Sequence, residues 1–98
     1  MKGRFALRPR AHADLDEIWE YTADRWGLKQ AETYARLLWK DVQAVADKPS
    51  MGRECDEVRA GYRQYPSGSH VLFYRLADDG IEVVRILHER MDYTRHIP

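Results

Sequence analysis

The chain has 98 residues, 44% hydrophobic and 11% aromatic, enough to build one compact domain over residues 1–98 without disulfides or a metal. Lys and Arg together number 16, as do Asp and Glu, and each half of the chain is nearly neutral. This balance argues against nucleic-acid binding by the chain alone, which rests on clustered cations releasing counterions. No apolar run approaches the roughly 20 residues of a membrane span. Arginines interrupt the N-terminus before a signal-peptide core forms, and Cys55 has no intrachain partner, so the expectation is a cytoplasmic protein with no membrane attachment.

Lys2 to Leu7 alternates, with Phe5 and Leu7 on one face, and reads as a strand ending before Pro9. Leu15, Ile18, Trp19, Thr22, Ala23 and Trp26 then fall three or four apart, the spacing of a helix with one apolar stripe. Pro9 suits its first turn and Gly27 its stop. Ala31, Tyr34, Ala35, Leu38, Val42 and Val45 predict a second helix of about five turns, limited by Pro49. It starts so soon after Gly27 that the two helices form an antiparallel hairpin. Leu37 and Trp39 lie about 100° to either side of Leu38, on the shoulders of the stripe. Trp19, Trp26, Tyr34, Phe73 and Tyr74 are expected in the core.

Residues 47–60 show little periodicity and read as an irregular connection. Three strands follow, Tyr62 to Tyr65, His70 to Leu76 and Ile81 to His88, separated by Pro66-Ser67-Gly68-Ser69 and Asp78-Asp79-Gly80, both rich in turn-forming residues. With the second loop at Asp78 to Gly80, Phe73, Arg75, Val83 and Arg85 share one sheet face, while Leu72, Tyr74, Leu76, Val84 and Ile86 share the other. The uncharged set is expected against the helices. Arg75 and Arg85 then stand on the opposite face, with Arg63 beside them, unless a bulge reverses part of the assignment.

Leu15-Asp16-Glu17-Ile18 followed by Trp19 and Tyr21, then Pro49, Gly52 and Arg53, Gly61-Tyr62-Arg63, Val71-Leu72-Phe73-Tyr74-Arg75 and Ile86-Leu87-His88-Glu89-Arg90-Met91-Asp92 occur in this order over nearly the whole chain. In these pieces and their spacing the chain resembles the RelE/ParE superfamily of bacterial type II toxins, most closely the ParE branch. The resemblance implies an α+β, RelE-like fold: an N-terminal strand, an antiparallel two-helix hairpin, and a three-stranded antiparallel meander joined to the first strand in one sheet. It also implies a toxin–antitoxin hetero-oligomer with a ParD-like antitoxin. ParE-like members are associated with poisoning DNA gyrase and blocking replication, RelE-like members with cutting mRNA in the ribosome. Fold does not choose between the two.

RNA cleavage needs proton-transfer groups and cations on the phosphate. Arg63, Arg75, Arg85 and His88 are the candidates for a nuclease face. All four lysines (Lys2, Lys29, Lys40, Lys48) precede the meander, however, unlike the lysine- and arginine-rich sheet surface of RelE-like nucleases. The preferred reading is therefore non-catalytic. Arg90, Tyr93 and Arg95, in the C-terminal segment, are the expected target-binding residues, and Leu37 and Trp39 the expected antitoxin-binding residues. No metal or other cofactor is expected: His12, His70, His88 and His96 lack ligand spacing, no glycine-rich phosphate loop occurs, and Cys55 sits among acids that disfavour its thiolate.

Overall fold

The computed structural model describes residues 3–97; Met1, Lys2 and Pro98 lie outside the described residues, including the expected start of the first strand. β1 (Arg4–Leu7) is followed by helices α1 (Pro9–Trp26) and α2 (Leu28–Asp47) and a 3-10 turn at Pro49–Met51. Strands β2 (Arg53–Glu54), β3 (Tyr62–Ser67), β4 (His70–Ala77) and β5 (Gly80–His88) and a short helix α3 (Tyr93–His96) complete the order. The strands form one sheet in the order β1-β5-β4-β3-β2. β1 runs parallel to β5 and the other pairs are antiparallel. The expected α+β architecture of strand, helical hairpin and meander is present, with β2 as a fifth strand inside the segment read as irregular.

Gly27, with φ of 93°, is the single residue between the helices, a backbone angle that L side chains resist. The reversal sets Leu15 and Ile18 of α1 beside Leu38 and Ala35 of α2. α2 buries Ala31, Leu38, Val42, Val45 and Ala46, matching its stripe. α1 buries only Ala11, Asp14 and Thr22. Small side chains let this helix approach the sheet, while its bulky residues stay at the flanks. Trp19 is 38% exposed and Trp26, the last helical residue, 68%, so neither is the core residue that the spacing predicts; Tyr34 is half-buried, and Phe73 and Tyr74 are fully buried.

The helices cover one sheet face, where Val42, Val45 and Ala46 meet Leu72, Tyr74, Ile81, Val83 and Ile86. The other face carries a second core of Cys55, Tyr62, Val71, Phe73, Val84, Leu87 and Ile97. It is therefore not the bare arginine face expected from strand alternation. The difference has a local cause. Phe73 pairs with Arg85 but Tyr74 pairs with Val83, so Val84 is the extra residue of a β-bulge. The bulge turns Val83 to the helices and Val84 to the second core, the reverse of the simple alternation. Leu76, expected against the helices, is exposed near the tip of the β4–β5 hairpin.

The bulge lies where β1 runs out. β1 ends at Leu7 opposite Val83, so β5 has no strand neighbour on that side beyond this point. Asp14 of α1 fills the gap. Its carboxylate accepts from the Ile86 backbone N–H at 3.0 Å and takes both Arg85 Nε at 2.7 Å and Nη2 at 2.8 Å, a two-pronged ion pair. Arg85 Nη1 also donates to the His96 carbonyl at 2.7 Å. Arg85 and Asp14 are only 6% and 7% exposed, so Arg85, expected on an open face, is an interior residue. Its hydrogen bond to Asp14 raises the guanidinium pKa, holding it charged against the opposing effect of burial.

Removing one member of a buried ion pair strands the other. Asp14→Ala is expected to lower the unfolding free energy by about 3–5 kcal/mol, read from urea denaturation. In a double-mutant cycle, adding Arg85→Met to Asp14→Ala should cost much less than Arg85→Met alone. Additive losses would show that the pair does not act as a unit.

Candidate functional site

The structure does not bring Arg63, Arg75, Arg85 and His88 into one constellation. Arg63 lies opposite Tyr74 on β3, where its Nη1 donates to the Gly52 carbonyl at 2.7 Å and its Nη2 pairs with Glu54 at 3.2 Å. Arg75 is opposite Tyr62, one residue out of phase with Arg63, and so faces the other side of the sheet. It is exposed and pairs with Glu82 at 3.4 Å. The expectation that Arg63 stands beside Arg75 and Arg85 is thus corrected by the β3–β4 register.

Of the four, Arg85 and His88 share a groove of about 550 Å³ between α1 and β5, also lined by Glu17, Tyr21 and Met91. His88 stands directly across from His70, ring centroids 5.4 Å apart and near edge-to-face. The Ser69 backbone N–H donates to Tyr34 Oη at 2.9 Å, and that oxygen lies 2.6 Å from His70 Nδ1. The Tyr34 hydroxyl and His70 Nδ1 thus share a hydrogen bond whose donor is set by the His70 tautomer. Burial, then the neighbouring His88, push the His70 pKa down to about 4. The Arg90 backbone N–H donates to His88 Nδ1 at 3.2 Å. At neutral pH this cluster offers a neutral imidazole held by its neighbours. Its hydrogen bonds tie α2 to β4, and the ring contact of His70 with His88 extends the cluster to β5.

The C-terminal segment is folded against the second core. Tyr93 packs edge-on against Phe73 at 4.8 Å and donates to the Glu89 carbonyl at 3.1 Å, while Ile97 is buried at 7% exposure. Asp92 caps α3 by accepting from the Thr94 N–H at 3.2 Å. Arg90 and Arg95 project from this framework as exposed side chains, Arg95 in a loose 3.5 Å pair with Asp92. Leu37 and Trp39 are 39% and 37% exposed. They flank the buried Leu38 on separate sides. Trp39 lies 5.7 Å from the Phe5 ring and lines a shallow cleft with Trp19.

Cys55 is fully buried in the second core, and burial pushes its thiol pKa up. Among the described residues, no group of three or more His, Cys, Asp or Glu side chains is placed to hold a metal ion. Asp14 is the residue that the sequence reading missed. Its signal was its place on the α1 stripe, three residues after Ala11 and four before Ile18, where a carboxylate demands a buried partner.

The mixed sheet with a helical hairpin and a meander defines the fold class of the small RelE-like α+β toxins. The solved structure described as "Chromosomal ParDE TA system from P. aeruginosa" contains a chain that superposes with a TM-score of 0.76 at 18% identity, covering 89% of this chain and 96% of that one. The sequence model for "ParE toxin of type II toxin-antitoxin system, parDE" matches residues 5–93. Toxin ParE1 of Mycobacterium tuberculosis is 51% identical over 99% of this chain and 100% of its own length. Toxin ParE1 of Caulobacter vibrioides is 45% identical over 95% and 96%. The chain belongs to the ParE family of type II toxins.

The His70 environment makes stability pH-dependent. Unfolded histidine titrates near 6.5 and folded His70 at about 4. Between these values the unfolded chain binds more protons, so the contribution of neutral His70 is complete above about 6.5 and is lost as the pH falls toward 4. Melting curves across this window should show a fall in Tm that is smaller in His70→Asn by at least about 5 °C. Equal pH dependence in both proteins would show that His70 is not the responsible group.

Proposed function

We propose that this ParE-family toxin inhibits DNA gyrase, and with it DNA replication, through protein–protein contact in the cytoplasm, and that a ParD-like antitoxin neutralises it in a hetero-oligomeric complex. The main support is the C-terminal segment. Arg90 and Arg95 are exposed on a short element that Tyr93 and Ile97 anchor to the second core. This is the form of a preorganised contact surface, with Arg90 and Arg95 reaching the target and Tyr93 fixing their presentation. The dispersal of Arg63, Arg75, Arg85 and His88 favours this reading over an endoribonuclease. A likeness to a solved ParDE system supports the antitoxin partner. Leu37 and Trp39 are the proposed antitoxin contacts, as half-exposed apolar shoulders of α2.

Pulse-labelling after induction without antitoxin should show DNA synthesis failing before protein synthesis. The reverse order would reject gyrase as the target. The double variant Arg90→Ala/Arg95→Ala should lose growth inhibition with an unchanged Tm. Full toxicity in that variant would remove these residues from the target surface. Truncation is a poorer test, because it takes Ile97 out of the core.

Antitoxin binding is tested separately. Leu37→Glu/Trp39→Glu should weaken the complex at least about tenfold, a loss of roughly 1.4 kcal/mol, in a titration calorimetry measurement. Unchanged affinity would place the antitoxin elsewhere.

A further inference from the structure

Although the chain carries no net charge, its cations are unevenly placed. A cleft of about 450 Å³ is lined by Arg8, Arg10, Arg85, Arg95 and His96 with no carboxylate. A second, of about 540 Å³, adjoins it through Arg8 and is lined also by Arg75 and Arg59, again with no carboxylate. Arg85 is neutralised by Asp14 and Arg59 is not without a partner, so the excess rests on the remaining arginines, whose counter-charges are sparse. Glu82 serves two guanidiniums at once, Arg8 at 3.0 Å and Arg75 at 3.4 Å. Arg95 has only its exposed 3.5 Å pair with Asp92. Arg10 is exposed and makes no ion pair among the described residues. The same cleft opens beside the start of α1, which has no side-chain cap and no acidic residue in its first turn to offset the positive helix end.

We infer that this arginine-lined track, carried by Arg8, Arg10, Arg75 and Arg95, binds the phosphate backbone of duplex DNA. Guanidinium forks match phosphate oxygens, and cations at successive positions along two joined clefts suit a ligand whose anions repeat. Protein interfaces centre on apolar or aromatic anchors. The exposed aromatic side chains Trp19, Tyr21, Trp26 and Trp39 all lie on the helices, Met51 and Met91 line neither cleft, and the track offers only Leu76 as an exposed large apolar side chain. Single-stranded nucleic acid is held by exposed aromatic platforms. The aromatic lining the track, Tyr62, is 5% exposed and presents no free ring face. A charged surface without anchors or stacking platforms fits a duplex backbone.

Zero net charge does not oppose this. At physiological salt, charges beyond about 8 Å are largely screened, and the molecule measures 36 × 34 × 20 Å. The local excess of arginine decides the interaction. The inference stands apart from the gyrase reading, since it concerns what the purified chain binds by itself.

The test is fluorescence anisotropy of the full-length chain with a labelled duplex of about 20 base pairs over a series of salt concentrations. Binding is expected to weaken with salt, with a log–log slope of about −3 for three to four phosphates contacted. Arg10→Gln/Arg95→Gln should weaken binding about tenfold or more and reduce the slope by about two. Lys29→Gln/Lys40→Gln, on exposed positions of α2, should change neither. All the altered side chains are exposed, and an unchanged Tm confirms that each variant folds. No binding at low salt overturns the proposal, as does loss caused equally by the lysine pair. Tighter binding of a single-stranded RNA of the same length or of an oligoglutamate peptide also overturns it, assigning the track to that ligand instead.

Discussion

The buried pair of Asp14 and Arg85 joins three parts of the chain at one point. Asp14 belongs to α1, Arg85 to the bulged part of β5, and the His96 carbonyl to the C-terminal segment. The same carboxylate satisfies the Ile86 N–H that β1 is too short to reach. Desolvating both ions is costly, and a well-packed apolar pair often serves stability as well. What the ions add is direction. A carboxylate that must meet both a guanidinium and one backbone N–H fixes the position of α1 along β5, which apolar side chains do more loosely. Such a role in specificity is the sense in which the rest of the fold depends on this contact.

The bulge follows from the same place. An extra residue in β5 at Val84 exchanges the sides on which the two adjacent valines fall, and it brings Arg85 to the unpaired edge where Asp14 waits. This explains what was legible in the sequence. The 3.6-residue spacing of α2 gave its buried face nearly residue for residue, because Leu38, Val42 and Val45 have no other reason for that spacing. The strands and turns were legible from alternation and from Gly, Asp and Ser clusters. The bulge was not, since Val83 and Val84 are chemically the same and neither signals the change of side. β2 was too short to carry any period. Arg85 reads as a solvated arginine until Asp14 is placed opposite it, a contact between residues 71 positions apart.

Candidate functional residues were legible to a smaller extent for a related reason. Residue type identifies which groups can carry chemistry, but register decides which of them meet. One residue of phase separates Arg63 from Arg75 and sends them to opposite faces, so four basic side chains in sequence proximity do not make a phosphate-cleaving site. His88 meets His70, whose pKa is pushed down by burial and then by His88 itself, and whose ring is held by Tyr34. Membership in the ParE family is carried by the whole chain. Activity within a shared fold depends on such local placements.

The C-terminal segment, the proposed target surface, is held in place by the fold at several points. A terminal stretch of this length ordinarily frays unless it is tied down. Here the Arg90 N–H is held by His88, the Tyr93 hydroxyl by the Glu89 carbonyl, the His96 carbonyl by Arg85, and Ile97 by the second core. Each tie removes freedom that a partner would otherwise have to remove on association, at roughly 0.5–1.5 kcal/mol per immobilised side chain. Arg90 and Arg95 keep their charged heads in water while the backbone beneath them is fixed. Arg95 also borders the track shared with Arg8 and Arg10, so one ordered element presents cations to two neighbouring surfaces. Because Arg85 binds both Asp14 and His96, the order of that element is linked to the docking of α1. The contact that sets the helix on the sheet thereby also sets how firmly the exposed arginines are held.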